Sequence, residues 1–310
     1  MKKKLIAVVG PTASGKTALS IALAKELGGE IISCDSMQIY RGMDIGTAKP
    51  TLCEMDGIVH HLIDIVDPSE NFSAADYAIL AKAKIDEVYA KGKTPIFCGG
   101  TGLYLDSVVR PTAYGASEPE PEYREELFAI AKEDGGVDRL HAMLREVDPE
   151  SADAIHKNNV KRVIRALEIY KSSGVPKSVL DAKSRMLGSE YDLCVIGLRF
   201  KDRESLYERI NRRVDMMVAS GLLDEVKRLY ENGSLKSEYT AAQAIGYKEF
   251  AAYLDGKMEL DEAVEDLKAA TRRYAKRQMT WFSAKDYVRF IDMDGKSFSF
   301  VLAEALNLIK

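Results

Sequence analysis

Cysteine, histidine and tryptophan are scarce in this sequence. Its 310 residues include four cysteines, four histidines and one tryptophan. Cys34, Cys53, Cys98 and Cys194 form no CxxC pair, and only His60 and His61 lie near one of them, Cys53. This spacing suggests neither a zinc site nor a disulfide framework, so reduced thiols in a cytoplasmic protein are expected. Excess positive charge is also missing. The formal net charge is −4, which argues against a uniformly basic nucleic-acid binder but leaves room for a local basic face. Long apolar runs are absent too, and none approaches the ~18 residues of a membrane span. The start, MKKKLIAVVG, resembles a signal peptide for a few residues, but its apolar run, LIAVV, ends in a glycine-rich loop. No membrane partner is expected.

Hydrophobic residues make up 46% of the chain and charged residues 30%, enough for a sizeable core under an ordinary polar surface. Apolar runs at 5–9 (LIAVV), 30–34 (EIISC), 61–66 (HLIDIV), 94–100 (TPIFCGG), 193–200 (LCVIGLRF) and 287–292 (YVRFID) read as strands. Helical patterns occupy 16–27, 73–91 with Ser73 as N-cap, and about 203–231, 238–253 and 261–283. Strands alternating with helices predict an α/β fold with a parallel sheet covered on both faces. The pattern changes near Pro111. Residues 115–150 carry eleven acidic and four basic residues with Pro119, Pro121 and Gly135-Gly136, the composition of a helical insertion that begins in a linker. The expected architecture is a P-loop NTPase-like core, residues 1–111 plus 191–310, and a mainly helical insertion, 112–190.

Residues 10–17, GPTASGKT, match G-x-x-x-x-G-K-[ST] between a predicted strand and a predicted helix. Such a loop, formed here by Gly10, Pro11, Thr12, Ala13, Ser14 and Gly15, turns its backbone N–H groups, which Pro11 lacks, toward phosphate oxygens. Lys16 adds a charge, and Thr17 offers a hydroxyl to Mg²⁺. The motif implies a nucleotide or a diphosphate without naming the reaction.

The second polar segment is CDSMQIYRGMDIGTAKP, residues 34–50. Asp35 follows the second predicted strand, at the carboxyl edge where open parallel sheets bind ligands. There it can hold a Mg²⁺-bound water or accept a proton, or it can simply cap a turn. Ser36, Gln38, Tyr40 and Arg41 offer polar handles, and Met37, Ile39 and Met43 interleave apolar surface. This mixture suits a stacked base or a small metabolite.

With these segments, GGTGLYLDSV (99–108), RVIRALEIY (162–170), AIGYKEF (244–250) and TRRYAKRQMTWF (271–282) follow in order. The set resembles the bacterial tRNA dimethylallyltransferases over about residues 4–290, most weakly in the insertion. The resemblance implies transfer of a dimethylallyl group from dimethylallyl diphosphate to N6 of the adenosine just 3′ of the anticodon. It further implies that the loop from Thr12 to Thr17 binds the prenyl diphosphate rather than ATP, and that Asp35 is the general base. Asp35, Ser36, Met37 and Gln38 would bind tRNA, as would Thr101 and, in the insertion, Arg124, Lys161, Arg162 and Arg165; Thr17, Thr101 and Arg213 join Asp35 as catalytic candidates. Lys161 stands where the family often has Gln. Gly246 and Lys248, in AIGYKEF, join the tRNA candidates. The expected partners are a tRNA anticodon stem-loop and the prenyl diphosphate, with Mg²⁺ as cofactor and a monomeric enzyme.

Three segments are locally basic: 157–171 with five basic and one acidic residue, 199–213 with six and three, and 271–289 with six and one. They read as solvated faces or, beside the resemblance, as phosphate contacts. Arg209 and Arg213, one helical turn apart, are candidates to reach the leaving diphosphate. Val264, Leu267, Tyr274 and Trp281 are expected to form the buried stripe of the last basic helix. Competing readings are a small-molecule P-loop kinase, a transferase acting on free adenine nucleotide, and a non-enzymatic RNA-binding module.

Overall fold

A computed structural model describes residues 2–110 and 120–310, and it divides into two compact units, 1–109 with 191–310 and 110–190. The expected linker residues Pro111 and Pro119 lie outside the described residues. In chain order the first unit begins with β1 (Lys3–Val9), α1 (Lys16–Leu27), β2 (Gly29–Ser33), α2 (Leu52–Met55), β3 (His60–His61), α3 (Ala74–Ala90), β4 (Thr94–Gly99) and α4 (Gly102–Val109). The second unit is helical: α5 (Pro121–Lys132), α6 (Gly136–Val147), α7 (Pro149–Ala154), α8 (Val160–Ser173) and α9 (Lys177–Met186). The first unit resumes with β5 (Tyr191–Arg199), α10 (Arg203–Ala219), α11 (Leu222–Glu231), two 3₁₀ turns (Thr240–Gln243 and Lys248–Phe250), α12 (Ala251–Leu254), α13 (Leu260–Ser283), β6 (Val288–Asp292) and α14 (Phe298–Ile309).

The six strands form one parallel sheet in the order β3-β2-β4-β1-β5-β6. Strand alternation sends Leu5, Ala7 and Val9 to one face and Ile6 and Val8 to the other. The first face packs on α3 and α4 through Tyr77, Ala81, Ile85 and Leu105. The second packs on α1 and α14 through Leu19, Leu23, Val301 and Ala305. With both faces covered, the strands read as near-continuous apolar runs, the pattern seen in the sequence. α3 starts on a capping box: the Ser73 side chain accepts from Asp76 N–H, and the Asp76 side chain accepts from Ser73 N–H.

Three predicted elements differ. Of HLIDIV only His61 is strand, the second residue of β3, because Leu62 and Asp64 take left-handed φ of 60° and 56°. The chain turns there, and Ile65 and Val66 donate to the Ile39 carbonyl instead. The helix over 203–231 breaks at Gly221, with φ 97°, between α10 and α11. Residues 238–253 form short turns rather than one helix, interrupted by Gly246 at φ 100°. The last-strand region is followed by α14, a helix the sequence reading did not anticipate. Along α13 the fully buried positions are Ala263, Leu267, Ala270, Ala275, Gln278 and Phe282. Of the expected stripe, Leu267 is among them, while Val264, Tyr274 and Trp281 are half-buried.

The helical unit has its own core of Leu127, Leu140, Leu144, Val163, Ile164 and Leu167. Its buried Asp148 caps α7 by accepting from Ser151 N–H at 3.1 Å and also accepts from Ser178 N–H at 2.9 Å.

Candidate active site

The C-terminal ends of β1, β4 and β2 lie side by side, and each runs into a loop the sequence marked. β1 leads into the phosphate loop. Gly10 sits at φ 144°, and a Cβ there would lie 2.6 Å from the Leu198 carbonyl oxygen, so the turn requires glycine. Ala13 takes a left-handed φ of 62°. The loop is braced from α10: Arg209 Nε donates to the Ala13 carbonyl at 2.9 Å, and Arg213 Nη1 donates to Thr12 Oγ1 at 3.4 Å. Lys16 Nζ donates to the Pro11 carbonyl at 2.7 Å. Burial pulls the Lys16 ammonium down to about 8; Arg213 adds to the fall, while Cys98 and Asp35 oppose it. A group so poised gains from an anionic ligand, which would restore its charge. The buried hydroxyl of Ser14 has no hydrogen-bond partner among the described residues.

β4 lies between β1 and β2, so the Gly99–Thr101 turn stands between the phosphate loop and Asp35. Thr101 N–H donates to the Cys34 carbonyl at 3.1 Å, and its Oγ1 accepts from Ser36 N–H at 3.0 Å. Asp35 is thereby gripped through both neighbours. Its Oδ1 accepts from Met37 N–H at 2.9 Å, so the turn-capping role read from the sequence is real and coexists with a half-buried carboxylate lining the cavity. Gln38 points inward. Its Oε1 accepts from Ser33 Oγ at 3.1 Å, and its Nε2 donates to the carbonyls of Thr47 and Ala48 at 3.3 and 3.2 Å. It therefore closes the 34–50 loop on itself.

What fixes that loop was not legible locally. Glu225, buried on α11, accepts from three consecutive backbone N–H groups: Asp44 at 2.9 Å, Ile45 at 2.9 Å and Gly46 at 3.0 Å. The same carboxylate accepts from Tyr247 Oη at 2.7 Å. Burial, reinforced by Glu225, pushes the Tyr247 phenol far above its ordinary range, so it stays a donor. Gly46 is required because a Cβ would lie 2.6 Å from the Tyr247 ring. Gly246 N–H donates to Glu249 Oε2 at 2.9 Å, and Gly246 backs directly on Gly46. Gly246 is thus part of the loop's foundation. The one sequence signal for this support was AIGYKEF, whose partner Glu225 lies about twenty residues upstream in an ordinary amphipathic helix.

A cavity of about 270 Å³ joins these parts. Thr12, Lys16, Thr17 and Arg213 line it, as do Asp35, Ser36, Met37, Gln38 and Lys248. Ile210, Val214, Met217 and Leu267 add apolar wall from α10 and α13, and Tyr274 and Arg277 stand beside them. Arg277 lies 5.5 Å over the Tyr274 ring. The phosphate-loop candidates Gly10, Pro11, Ala13, Ser14 and Gly15 form the turn that carries Thr12, Lys16 and Thr17 to this cavity. Among the described residues no three His, Cys, Asp or Glu side chains converge on a metal position. The hard oxygen donors at hand are the Thr17 hydroxyl and the Asp35 carboxylate. That sparse set fits Mg²⁺, which keeps most of its shell as water and substrate phosphate oxygen.

The remaining candidates belong to the helical unit. Arg124 makes a fork with Glu168, Nε to Oε1 at 2.5 Å and Nη2 to Oε2 at 2.8 Å, and Arg165 reaches the same carboxylate at 3.4 Å. Lys161 and Arg162 are exposed near the start of α8.

Comparison with known proteins follows the same lines. A family model described as IPP transferase matches residues 38–285. A tRNA dimethylallyltransferase of Halalkalibacterium halodurans is 51% identical over 309 residues, covering 100% of this chain and 97% of that protein. One from Bacillus subtilis is 53% identical over 294 residues, covering 94% and 91%. Among solved structures, the full-length tRNA isopentenylpyrophosphate transferase of Bacillus halodurans superposes with a TM-score of 0.75 at 51% identity, covering 99% and 96% of the two chains. A eukaryotic dimethylallyltransferase acting on tRNA superposes with a TM-score of 0.85 at 31% identity, covering 99% and 79%. With a family model spanning most of its length and full-length relatives at half identity, the chain belongs to the IPP transferase family.

Proposed function

We infer that this chain is a prenyltransferase that moves a dimethylallyl group from dimethylallyl diphosphate to N6 of the adenosine just 3′ of the anticodon in tRNA. The observation that carries this reading is one cavity with a phosphate cradle on one side and a held carboxylate, Asp35, on the other. The names of full-length relatives at about half identity support the reaction class.

In the transfer, the allylic C–O bond of the donor breaks and a bond forms from that carbon to N6. The electron pair of the C–O bond leaves with diphosphate, and a proton leaves N6. Negative charge grows on the departing diphosphate. Lys16, Arg213 and the phosphate-loop N–H groups other than that of Thr12, which Gln278 holds, face that charge in a partly dehydrated site, where preorganised donors count most. Thr17 would hold Mg²⁺, which when bound would supply further neutralisation of the leaving group. An exocyclic amine is a weak nucleophile, and Asp35 accepts its proton as the new bond forms. Thr101 keeps the carboxylate aimed by its bonds on both sides of Asp35. The acceptor base sits in a loop and enters the cavity unpaired, at a cost of a few kcal/mol or less.

We place Ser36, Met37 and Lys248 against the acceptor nucleotide, with Gln38 and Gly246 shaping that wall. Lys161 and Arg162 offer phosphate contacts on the helical unit, while Arg124 and Arg165, bonded to Glu168, would reach tRNA only by giving up that carboxylate. No described helix is long and apolar enough to cross a membrane.

The test is direct. Purified protein is mixed with Mg²⁺, labelled dimethylallyl diphosphate and an anticodon stem-loop carrying adenine 3′ of the anticodon, with ATP and free AMP in parallel. Label in the stem-loop, lost when that adenine is changed, is expected. Label only in AMP, or phosphate transfer from ATP without prenylation, would overturn the assignment.

A further inference from the structure

Gln278 joins the two sides of the cavity yet has no role in the bond changes above. It lies on α13 and is 5% exposed. Its Oε1 accepts from Thr12 N–H at 2.9 Å, and its Nε2 donates to the Gly100 carbonyl at 3.0 Å. Both ends of the amide are used, and with opposite polarity. A carboxylate or an apolar side chain cannot make both bonds.

The two backbone groups belong to different loops. Thr12 is in the phosphate cradle. Gly100 opens the turn whose next residue, Thr101, grips Cys34 and Ser36 on either side of Asp35. A path of hydrogen bonds and short backbone links therefore runs from the donor cradle through one amide and the Gly100-Thr101 turn to the two neighbours of the proton acceptor. The turn is shaped for that amide: a Cβ at Gly100 would lie 1.9 Å from Gln278 Nε2. Packing alone does not call for glutamine here. The neighbouring buried positions of α13 are Ala270, Ala275 and Phe282, and a buried amide is costly unless both ends are paired.

Resting on the transferase reading, we propose that Gln278 is a positioning residue that sets the separation between the diphosphate cradle and Asp35. It thereby holds the allylic carbon of the donor against the attacking amine. Reacting atoms need an approach of about 3–3.5 Å, and a shift of about 1 Å costs on the order of 100-fold in rate.

Gln278→Leu keeps the bulk and removes both bonds. Its kcat is expected to fall about 30- to 100-fold, while the separately measured affinities for donor diphosphate and stem-loop stay within about threefold. Gly100→Ala should give the same loss, and the double variant should be no worse than the worse single one, since both break one clip. Gln278→Glu adds a readout that packing would not move. Its carboxylate repels the Gly100 carbonyl, but the protonated acid can donate to it, so its kcat relative to wild type should climb as pH is lowered. Amide exchange at Thr12 should quicken in Gln278→Leu without any substrate present.

A folded Gln278→Leu with wild-type kcat and wild-type Thr12 exchange would overturn the proposal, as would losses that multiply in the double variant. Should Gln278→Leu fail to fold, a flat pH ratio for Gln278→Glu would overturn it equally. Should wild-type protein transfer no prenyl group, the functional reading falls while the exchange measurement still decides the clip.

Discussion

The two loops that bound the cavity are held by different means. The phosphate loop, residues 10–17, is held mostly by itself: a glycine that nothing else can replace, a left-handed Ala13 and the start of α1. Outside help comes from Arg209, Arg213 and Gln278. The 34–50 loop depends on residues nearly two hundred positions away. Glu225 holds its backbone at Asp44, Ile45 and Gly46, and Tyr247 holds Glu225. The difference accords with the ligands proposed for each loop. A diphosphate has one compact shape, and a short turn can match it. A nucleotide in a folded RNA needs a broad wall, and a broad loop needs an external anchor to stay ordered.

That contrast can be broken from either side. Removing the cradle's charge should harm the donor alone. Lys16→Ala is expected to weaken dimethylallyl diphosphate binding about 100-fold, the scale of one desolvated charge-assisted hydrogen bond, with stem-loop affinity unchanged. Titration calorimetry with each substrate checks it. Removing the distant anchor should harm the acceptor side and the fold together. Glu225→Ala strands three backbone N–H groups and a buried phenol, so a loss of about 3 kcal/mol in chemical denaturation is expected, with a raised KM for the stem-loop. Equal losses for both substrates would erase the distinction between the loops.

Finer probes sharpen it. Gly46→Ala drives a methyl into the Tyr247 ring and should cost about 2 kcal/mol of stability, with donor affinity intact. The smallest effect is a pH dependence. Lys16 is charged below about 8, and diphosphate binds the charged form, so binding takes up a proton near that pH. Donor affinity should therefore hold at lower pH and fall by up to about tenfold per unit as pH rises through 8, a slope that Lys16→Ala should lack.

The cradle was legible because its signal is local: eight consecutive residues between a strand and a helix. The sheet was legible because two buried faces write continuous apolar runs, as in β1, β4 and β5. HLIDIV misled because an apolar run says nothing of the left-handed turns at Leu62 and Asp64. The failures at 203–231 and 238–253 share a cause, since Gly221 and Gly246 interrupt helical periodicity that otherwise continues. Asp35 stood out as a polar residue after an apolar run, and Thr101 only through the family resemblance. Glu225 and Gln278 did not, because a carboxylate and an amide on amphipathic helices look like surface until the fold turns them inward.

The account turns on Asp35 as the acceptor of the N6 proton. The most direct measurement is a single-turnover transfer with Asp35→Asn, loaded with labelled dimethylallyl diphosphate and saturated with stem-loop. Transfer about 1,000-fold slower than wild type, with both substrates bound within about threefold, is the predicted result. Transfer at the wild-type rate would contradict it.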